Sequence, residues 1–384
     1  MTAITDPVQL TQEFVAVDSV NPDLAESAGE AQMAERVAQL LQALGAQVET
    51  QQVVGGRANV LGVLPGDLDS FVVLEAHLDT VPMPVVPLPA GIANGRLWGR
   101  GSCDTKASIA AMIVAMQQIA GQRGPRPTVM FAGVVDEEYV MRGAQVLSQR
   151  IPRAASLIIG EPTSLRVVRA HNGCVRFDIE VHGRTAHSSR ATLGRNAILD
   201  ASRLVLELNE RLGAKLEAAP HPLTGAGLLT AAMINGGTAP NVVPDSCIVR
   251  FDRRMVPGET IPQALAEVDA VLAQLFEDFG LRATRSDPWL ELPAVEMSED
   301  HPLVQAGLSV CSHAGDGSPP HAEGVPYCTD ANILTGHAAL PSIVLGPGSI
   351  DQAHSPEEWV DVQEVRDSVA LYVNLVEALG RASR

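Results

Sequence analysis

A mixed, mainly parallel α/β domain interrupted by a smaller α+β insertion is the fold that this 384-residue sequence predicts. Three observations predict it. Short, continuous apolar runs of strand length recur on either side of an apolar helix. Between about residues 172 and 286 the pattern changes to alternation and two amphipathic helices. A buried-type run then returns at 341–345.

The first clear element is a helix over 31–44, where Met33, Val37, Leu40, Leu41 and Leu44 make one apolar stripe and Gly45 stands where a C-terminal cap belongs. The runs 60–64, 71–74, 128–135, 156–159 and 341–345 are continuous in apolar residues, as strands covered on both faces of a parallel sheet are. A helix over 106–119, rich in Ala, Met and Ile, separates two of them as a crossover would. In the insertion, Val175, Phe177, Ile179 and Val181 alternate with Arg176, Asp178, Glu180 and His182, the mark of a half-exposed strand. A helix follows with Ala197, Ala201, Leu204, Leu208 and Leu212 on one face. Strand-like runs at 228–235 and 247–254 come next, then a helix carrying Leu265, Val268, Leu272, Leu275 and Phe279, and a short strand at 281–284. That order, β-α-β-β-α-β, is the split unit of ferredoxin-like domains. The predicted division is 1–171 with 287–384 for the larger domain and 172–286 for the insertion.

Composition narrows the function classes. Asp and Glu number 45 against 27 Lys and Arg, a formal net charge of −18. A surface of that sign repels nucleic acid phosphates and anionic membranes, and 3% aromatic residues leave little for base stacking. Only Lys106 and Lys215 are lysines. The five cysteines form no CxxC pair, which suits free thiols in a reducing compartment and a cytoplasmic location. The first residues, MTAITDPVQLTQEF, carry no secretory pattern, and the apolar stretch 107–116 is too short to span a bilayer.

Position relative to the strands is what makes the acids and histidines informative. The run ending at 76 is followed by His77 and Asp79, the run ending at 135 by Asp136, Glu137 and Glu138, and the run ending at 159 by Glu161. The last run leads through a glycine-rich loop to His354, and Asp104 lies in a loop just before the Ala-rich helix. Sites in open α/β sheets form beyond the carboxyl ends of strands. A strand-end histidine or a Glu-Glu pair is by itself an ordinary structural feature; five such positions on one edge are not. An imidazole and carboxylate set without cysteine suits Zn²⁺, Co²⁺ or Mn²⁺. Asp79, two residues past His77, is placed to accept the other ring N–H of His77. Of the adjacent Glu137 and Glu138, one can ligate while the other handles a proton, and with two metals Asp104 is the bridging carboxylate to expect.

Taken together, HLDTVP at 77–82, GRGSCDTK at 99–106, DEE at 136–138, GEPTSL at 160–165 and GPGSIDQAHSPEE at 346–358 resemble the acetylornithine deacetylase, succinyl-diaminopimelate desuccinylase and glutamate carboxypeptidase family of dinuclear metallohydrolases. The resemblance runs from about residue 10 to the C-terminus with the motifs in order. GEPTSLRVVRAHNG, the step 327–329 and GPGSIDQAH are most similar to the acetylornithine deacetylase branch. It implies that His77, Asp104 and Glu161 hold one metal and that Asp104, Glu138 and His354 hold the other, with Zn²⁺ the expected ion. It implies Glu137 as general base, Asp79 as the group orienting His77, and a cis peptide between Asp104 and Thr105. AHSS at 186–189 matches the segment whose histidine, here His187, stabilises an oxyanion across a homodimer formed through the insertion. Asn241 in NVVP and Arg254 in FDRR match positions that hold the substrate carboxylate, and Thr329 is a further substrate contact by resemblance.

The sequence departs from the pattern at Ala107 and Val140, where glycines are usual, and in the proline-rich stretch 82–90, which lacks the usual Trp and Phe. GSCDTKAS lacks the glycine before lysine that a phosphate loop requires, and no GxSxG occurs. A non-catalytic ligand-binding relative would have lost a ligand or the base, and none is lost. The expectation is therefore a metal-dependent amidohydrolase that removes an N-acyl group from a small amino acid, with N-acetylornithine first. Succinyl-diaminopimelate, acetyl-lysine, acetyl-citrulline and dipeptides are the alternatives. Glu323, Asp330 and Asp351 are acids that could meet a cationic substrate side chain, and Cys103 and Cys328 fall beside the motifs, with a buried free thiol the ordinary reading of each.

Overall fold

The structure is a computed structural model that describes residues 6–82, 91–311 and 320–382. The proline-rich stretch lies outside them from residue 83 to 90. The chain divides into two compact units. The first comprises Met1–Arg169, Met297–Glu323 and Thr329–Arg384; the second comprises Ala170–Glu296 and Gly324–Cys328. The insertion so defined begins two residues earlier and ends ten residues later than the sequence pattern places it; Leu290–Leu292 still pairs with Gly173–His182 of the second unit.

In the first unit the strands run in the spatial order Gln47–Val54, Arg57–Leu64, Thr128–Val134, Phe71–His77, Ala155–Ile159 and Ser342–Val344, with Val168 next. Phe71–His77 is parallel to both of its neighbours, and Ser342–Val344 is parallel to Ala155–Ile159. These four strands therefore end on one edge, and that edge receives the residues following 77, 134, 159 and 344. The Arg57–Leu64 strand, expected to be parallel, is antiparallel to Thr128–Val134. It belongs to a hairpin with Gln47–Val54 whose turn uses Gly55 and Gly56 at φ +54° and +85°, a conformation in which only glycine is unstrained. The Lys106–Gly121 helix is buried on all sides, from Lys106 to Met116 without a break. It packs in the core with Phe14, Leu41, Phe131, Tyr372 and Leu375. The 31–44 stripe forms the helix Ala31–Ala43, ending at Gly45 with φ +89°.

The second unit has strand order Leu228–Gly236, Ser246–Met255, Gly173–His182, Arg282–Arg285, all antiparallel, with Leu290–Leu292 also pairing on the third. In order of sequence this is 2-3-1-4, the ferredoxin-like arrangement. Helices Ala197–Leu208 and Ile261–Phe279 cover one face, meeting Val175, Phe177, Ile179, Val249 and Phe251. Leu212, expected on the first helix, lies on a π-helical turn, Asn209–Gly213, that continues it. No described helix is long and apolar enough to cross a membrane.

Candidate metal centre

Each strand end delivers a side chain by a local device. His77 is the last residue of its strand and is 2% exposed. Asp104 lies in a turn segment, 99–105, just before the Lys106–Gly121 helix; the peptide bond after it is cis. Glu137 and Glu138 follow Asp136, which is fully buried at φ +75° and is held by Arg142 and Asn21. His354 also takes a left-handed conformation, φ +58°, in the loop after Ser342–Val344.

Asp104 sits between two imidazoles. Its Oδ1 is 2.9 Å from His77 Nε2 and its Oδ2 is 3.2 Å from His354 Nε2. On the far side of His354, Glu138 Oε2 is 3.0 Å away; beside His77, Glu161 Oε1 is 3.8 Å away. One atom each from His77, Asp104 and Glu138 lies within 4.8 Å of the others. Two donors that each sit about 2.1 Å from one cation are roughly 3.0–3.4 Å apart, depending on the angle. The donor set, nitrogen and oxygen without sulfur, therefore fits a zinc-like ion in both chemistry and spacing, and the carboxylate of Asp104 presents one oxygen to each side.

The electrostatics are those of a crowded acidic site. Burial, then the charges of Glu138, Asp330 and Asp104, hold the Glu137 carboxyl well above its usual range. Glu161 and Glu138 are raised for the same first reason, with Asp104 adding to each. Burial also works against ionised Asp104, but hydrogen bonds from His354 and His77 outweigh it and hold that carboxyl low. Hydrogen bonds to Asp104 and Glu138 push His354 up to about 11. Acids outnumber imidazoles in this cluster, and a divalent cation is a compact way to balance them.

Asp79 lies against the His77 ring, nearer through its backbone than through its carboxylate. His77 Nδ1 is 2.9 Å from the backbone carbonyl of Asp79 and 3.6 Å from its carboxylate. The carboxylate instead accepts the N–H groups of Glu137, at 3.2 Å, and Glu138, at 3.1 Å, and the Asn21 amide at 2.8 Å. It thus fixes the backbone of the Glu-Glu pair, because the chain curls back past the strand end with its carbonyl towards the ring.

Thr329 is fully buried, and its hydroxyl accepts the N–H of Ala331 at 3.2 Å, capping a turn. Asp330 is 1% exposed beside Glu75, Glu323 pairs with Arg166 at 2.9 Å, and Asp351 is exposed. Cys103 is buried next to Asp104, and all five cysteines are free thiols. Lys106, 2% exposed, donates to the Val17 carbonyl at 2.8 Å; burial pushes it down to about 8.

The remaining expected residues lie in the second unit. His187 is exposed, with Nδ1 2.8 Å from the Ser189 hydroxyl, and its neighbour Ser188 donates to the Asn241 carbonyl at 3.0 Å. Arg254 already holds a carboxylate: its Nε donates to Asp252 at 2.7 Å, while Nη1 reaches the Cys328 thiol at 3.5 Å. Sequence reasoning missed Asn21 and Glu358, which bear on the site through backbone and second partners. Glu358 stood in a quoted motif, four residues after His354, and only the missing reason for its burial kept it silent.

Comparison with known proteins gives the family. A sequence profile of peptidase family M20/M25/M40 matches residues 73–378. An acetylornithine deacetylase from Vibrio cholerae serotype O1 is 30% identical over 380 residues, covering 94% of this chain and 95% of that one. Among solved structures, the aminopeptidase PepT from Bacillus cereus aligns with TM-score 0.77 at 22% identity, covering 97% of this chain and 98% of the other. The YXEP protein of Bacillus subtilis, described as a dinuclear metal binding peptidase, aligns with TM-score 0.71 at 16% identity, covering 96% of each chain. With a profile match across most of its length and a metal-fitting cluster on the sheet edge, the chain belongs to peptidase family M20/M25/M40 and is a metal-dependent amidohydrolase.

Proposed function

We propose that the chain hydrolyses the amide of an N-acyl amino acid, N-acetylornithine first among them, at a centre of two divalent ions. The observation that carries this is Asp104 with one oxygen on His77 and the other on His354. His77, Asp104 and Glu161 would hold one ion and Asp104, Glu138 and His354 the other, with Zn²⁺ preferred and Co²⁺ or Mn²⁺ suited to the same donors. Ions bound there would polarise the scissile carbonyl and make the attacking water acidic. Glu137 takes the proton from that water and returns it to the leaving amine. Burial and neighbouring acids hold its carboxyl above the usual range, which makes it a better proton acceptor than an exposed carboxylate. Asp79 keeps Glu137 in place by holding its amide.

His187 is assigned to the oxyanion, in a second copy of the chain, and Asn241 and Arg254 to the substrate carboxylate. The similarity of their segments supports these roles, as does the exposed ring of His187. A homodimer is supported by the apolar surface of the second unit. Leu206 and Met233 are 70% and 62% exposed beside a groove of about 400 Å³ between a helix and an edge strand. The free thiols support a cytoplasmic location.

Steady-state rates over N-acetylornithine, acetyl-lysine, acetyl-citrulline, succinyl-diaminopimelate and di- and tripeptides, with Zn²⁺ or Co²⁺, test the reading. The expected result is highest kcat/KM on the acetylated diamino acid. A preference for succinyl or peptide substrates would move the chain to another branch. Turnover that survives complete chelation would overturn the mechanism.

A further inference from the structure

The segment that presents Asp104 contains no helix or strand of its own. It runs from Gly99 to Thr105, with Gly99 at φ +143° and Gly101 at φ +79°, so partners from elsewhere must give it one shape. One side chain supplies three of them. Glu358, fully buried, accepts the N–H of Cys103 at 3.0 Å and of Asp104 at 3.1 Å on Oε1, and Arg100 Nη1 at 2.6 Å on Oε2. Its backbone is placed by the strand Trp359–Asp361, which pairs with Arg96–Trp98, and its carbonyl accepts the Gly99 N–H at 3.0 Å. Arg100 carries the connection onward: its Nη2 reaches the carbonyl of Ser355, the residue after His354, at 3.4 Å. Two loops, each bearing one ligand of the same expected ion, are thus tied to one carboxylate.

We propose that Glu358 is a positioning residue of the metal centre, holding Asp104 through its amide and His354 through Arg100 at the spacing that the ion shared by Asp104, Glu138 and His354 requires. Glu358 touches neither ion nor substrate; it acts through the backbone of one ligand and the neighbour of another. The inference rests on the two-metal reading above and adds to it a determinant of how tightly the second ion is held. Groups that orient ligands from behind typically change metal affinity about 10–100-fold when removed.

Cobalt titration of the full chain, followed by calorimetry and by visible absorption of the bound Co²⁺, tests it without using activity. Wild type is expected to take two equivalents. Glu358→Gln, which keeps the shape but not the charge that Arg100 and two amides need, should keep the first equivalent and bind the second at least 10-fold more weakly, with an altered visible spectrum. Glu358→Asp should recover part of both. Arg100→Lys keeps the charge near Glu358 and loses the reach to Ser355, so it should weaken the second equivalent too; it decides the matter if Glu358→Gln does not fold. Unchanged affinities in the folded variants, or equal weakening of both equivalents, would overturn the positioning role while leaving the two-metal reading intact. A wild type that binds fewer than two ions would sink that reading and this proposal with it.

Discussion

Glu137 is the side chain on which the proposed chemistry turns, and it sits where its protonation can be shared. The adjacent Glu138 points to His354 while Glu137 is raised by burial and by its acidic neighbours, so the two carboxylates have separate work. Glu137→Gln should lower kcat by about 10²–10⁴-fold, the range expected for loss of a general base. Metal content, measured by emission spectrometry, should stay near that of wild type, and a marked loss of metal would make Glu137 a ligand instead. His171 offers a second residue-scale prediction. It is 2% exposed, neither ring nitrogen has a hydrogen bond of normal geometry, and burial pushes it down to about 4, opposed by the Asn172 backbone. Unfolded, it titrates near 6.5. Between those values the unfolded chain takes a proton that the folded chain refuses, so stability falls as pH drops from 6.5 to 4 and then levels. Urea denaturation of His171→Leu at pH 7 and pH 4.5 should show a smaller acid loss than wild type, and an equal loss would place the titration elsewhere.

At the scale of elements, the four parallel strand ends could be anticipated because continuous apolar runs leave few other solutions, and three of the runs stop within two residues of their acid or histidine while the fourth reaches His354 through a loop. The Gln47–Val54 strand could not. Its sequence, QVETQQVV, holds no continuous apolar run, and it is placed by its hairpin partner and the Gly55–Gly56 turn with only Val48 and Val53 against the core. The loop after Ser342–Val344 shows the same dependence on neighbours. Gly348 has φ +84°, and a Cβ there would lie 2.5 Å from Cys103 Sγ. Gly348→Ala should cost about 1–3 kcal/mol in thermal or chemical unfolding, from backbone strain and the clash together. Adding Cys103→Ala should return part of that loss, because it removes the clash and not the strain. No recovery would mean that the strain alone sets the cost.

For the whole molecule, the acidic excess separates into carboxylates placed at the metal centre, others buried beside it such as Glu75, Asp136, Asp330 and Glu358, and the rest of the acids. Asp79, Asp104, Glu137, Glu138 and Glu161 occupy one edge of one sheet, and their repulsion is what makes a cation fit. The association state is the other whole-molecule question. Leu199, Leu206, Met233 and Ile234 expose apolar surface on the helix and edge strand of the second unit. If two copies pair there, Leu206→Asp together with Met233→Asp should convert a dimer to a monomer in sedimentation equilibrium. Turnover should fall with it if His187 acts on the partner's substrate. A variant that stays dimeric would put the interface elsewhere, and a fully active monomer would remove His187 from the chemistry.

The sequence by itself determined the α/β core, the ferredoxin-like order of the insertion and the set of acids and histidines at the strand ends. Those features are written in periodicity and in where apolar runs stop, which are local properties of the chain. Tertiary structure alone decided that the carbonyl of Asp79 comes nearer His77 than its carboxylate, that Thr329 caps a turn, and that Asp252 pairs with Arg254 Nε. It alone brought Glu358 under the amide of Asp104, 254 residues away in the chain. Such contacts depend on φ angles past strand ends and on pairings between distant segments, and neither leaves a periodic trace in the order of residues.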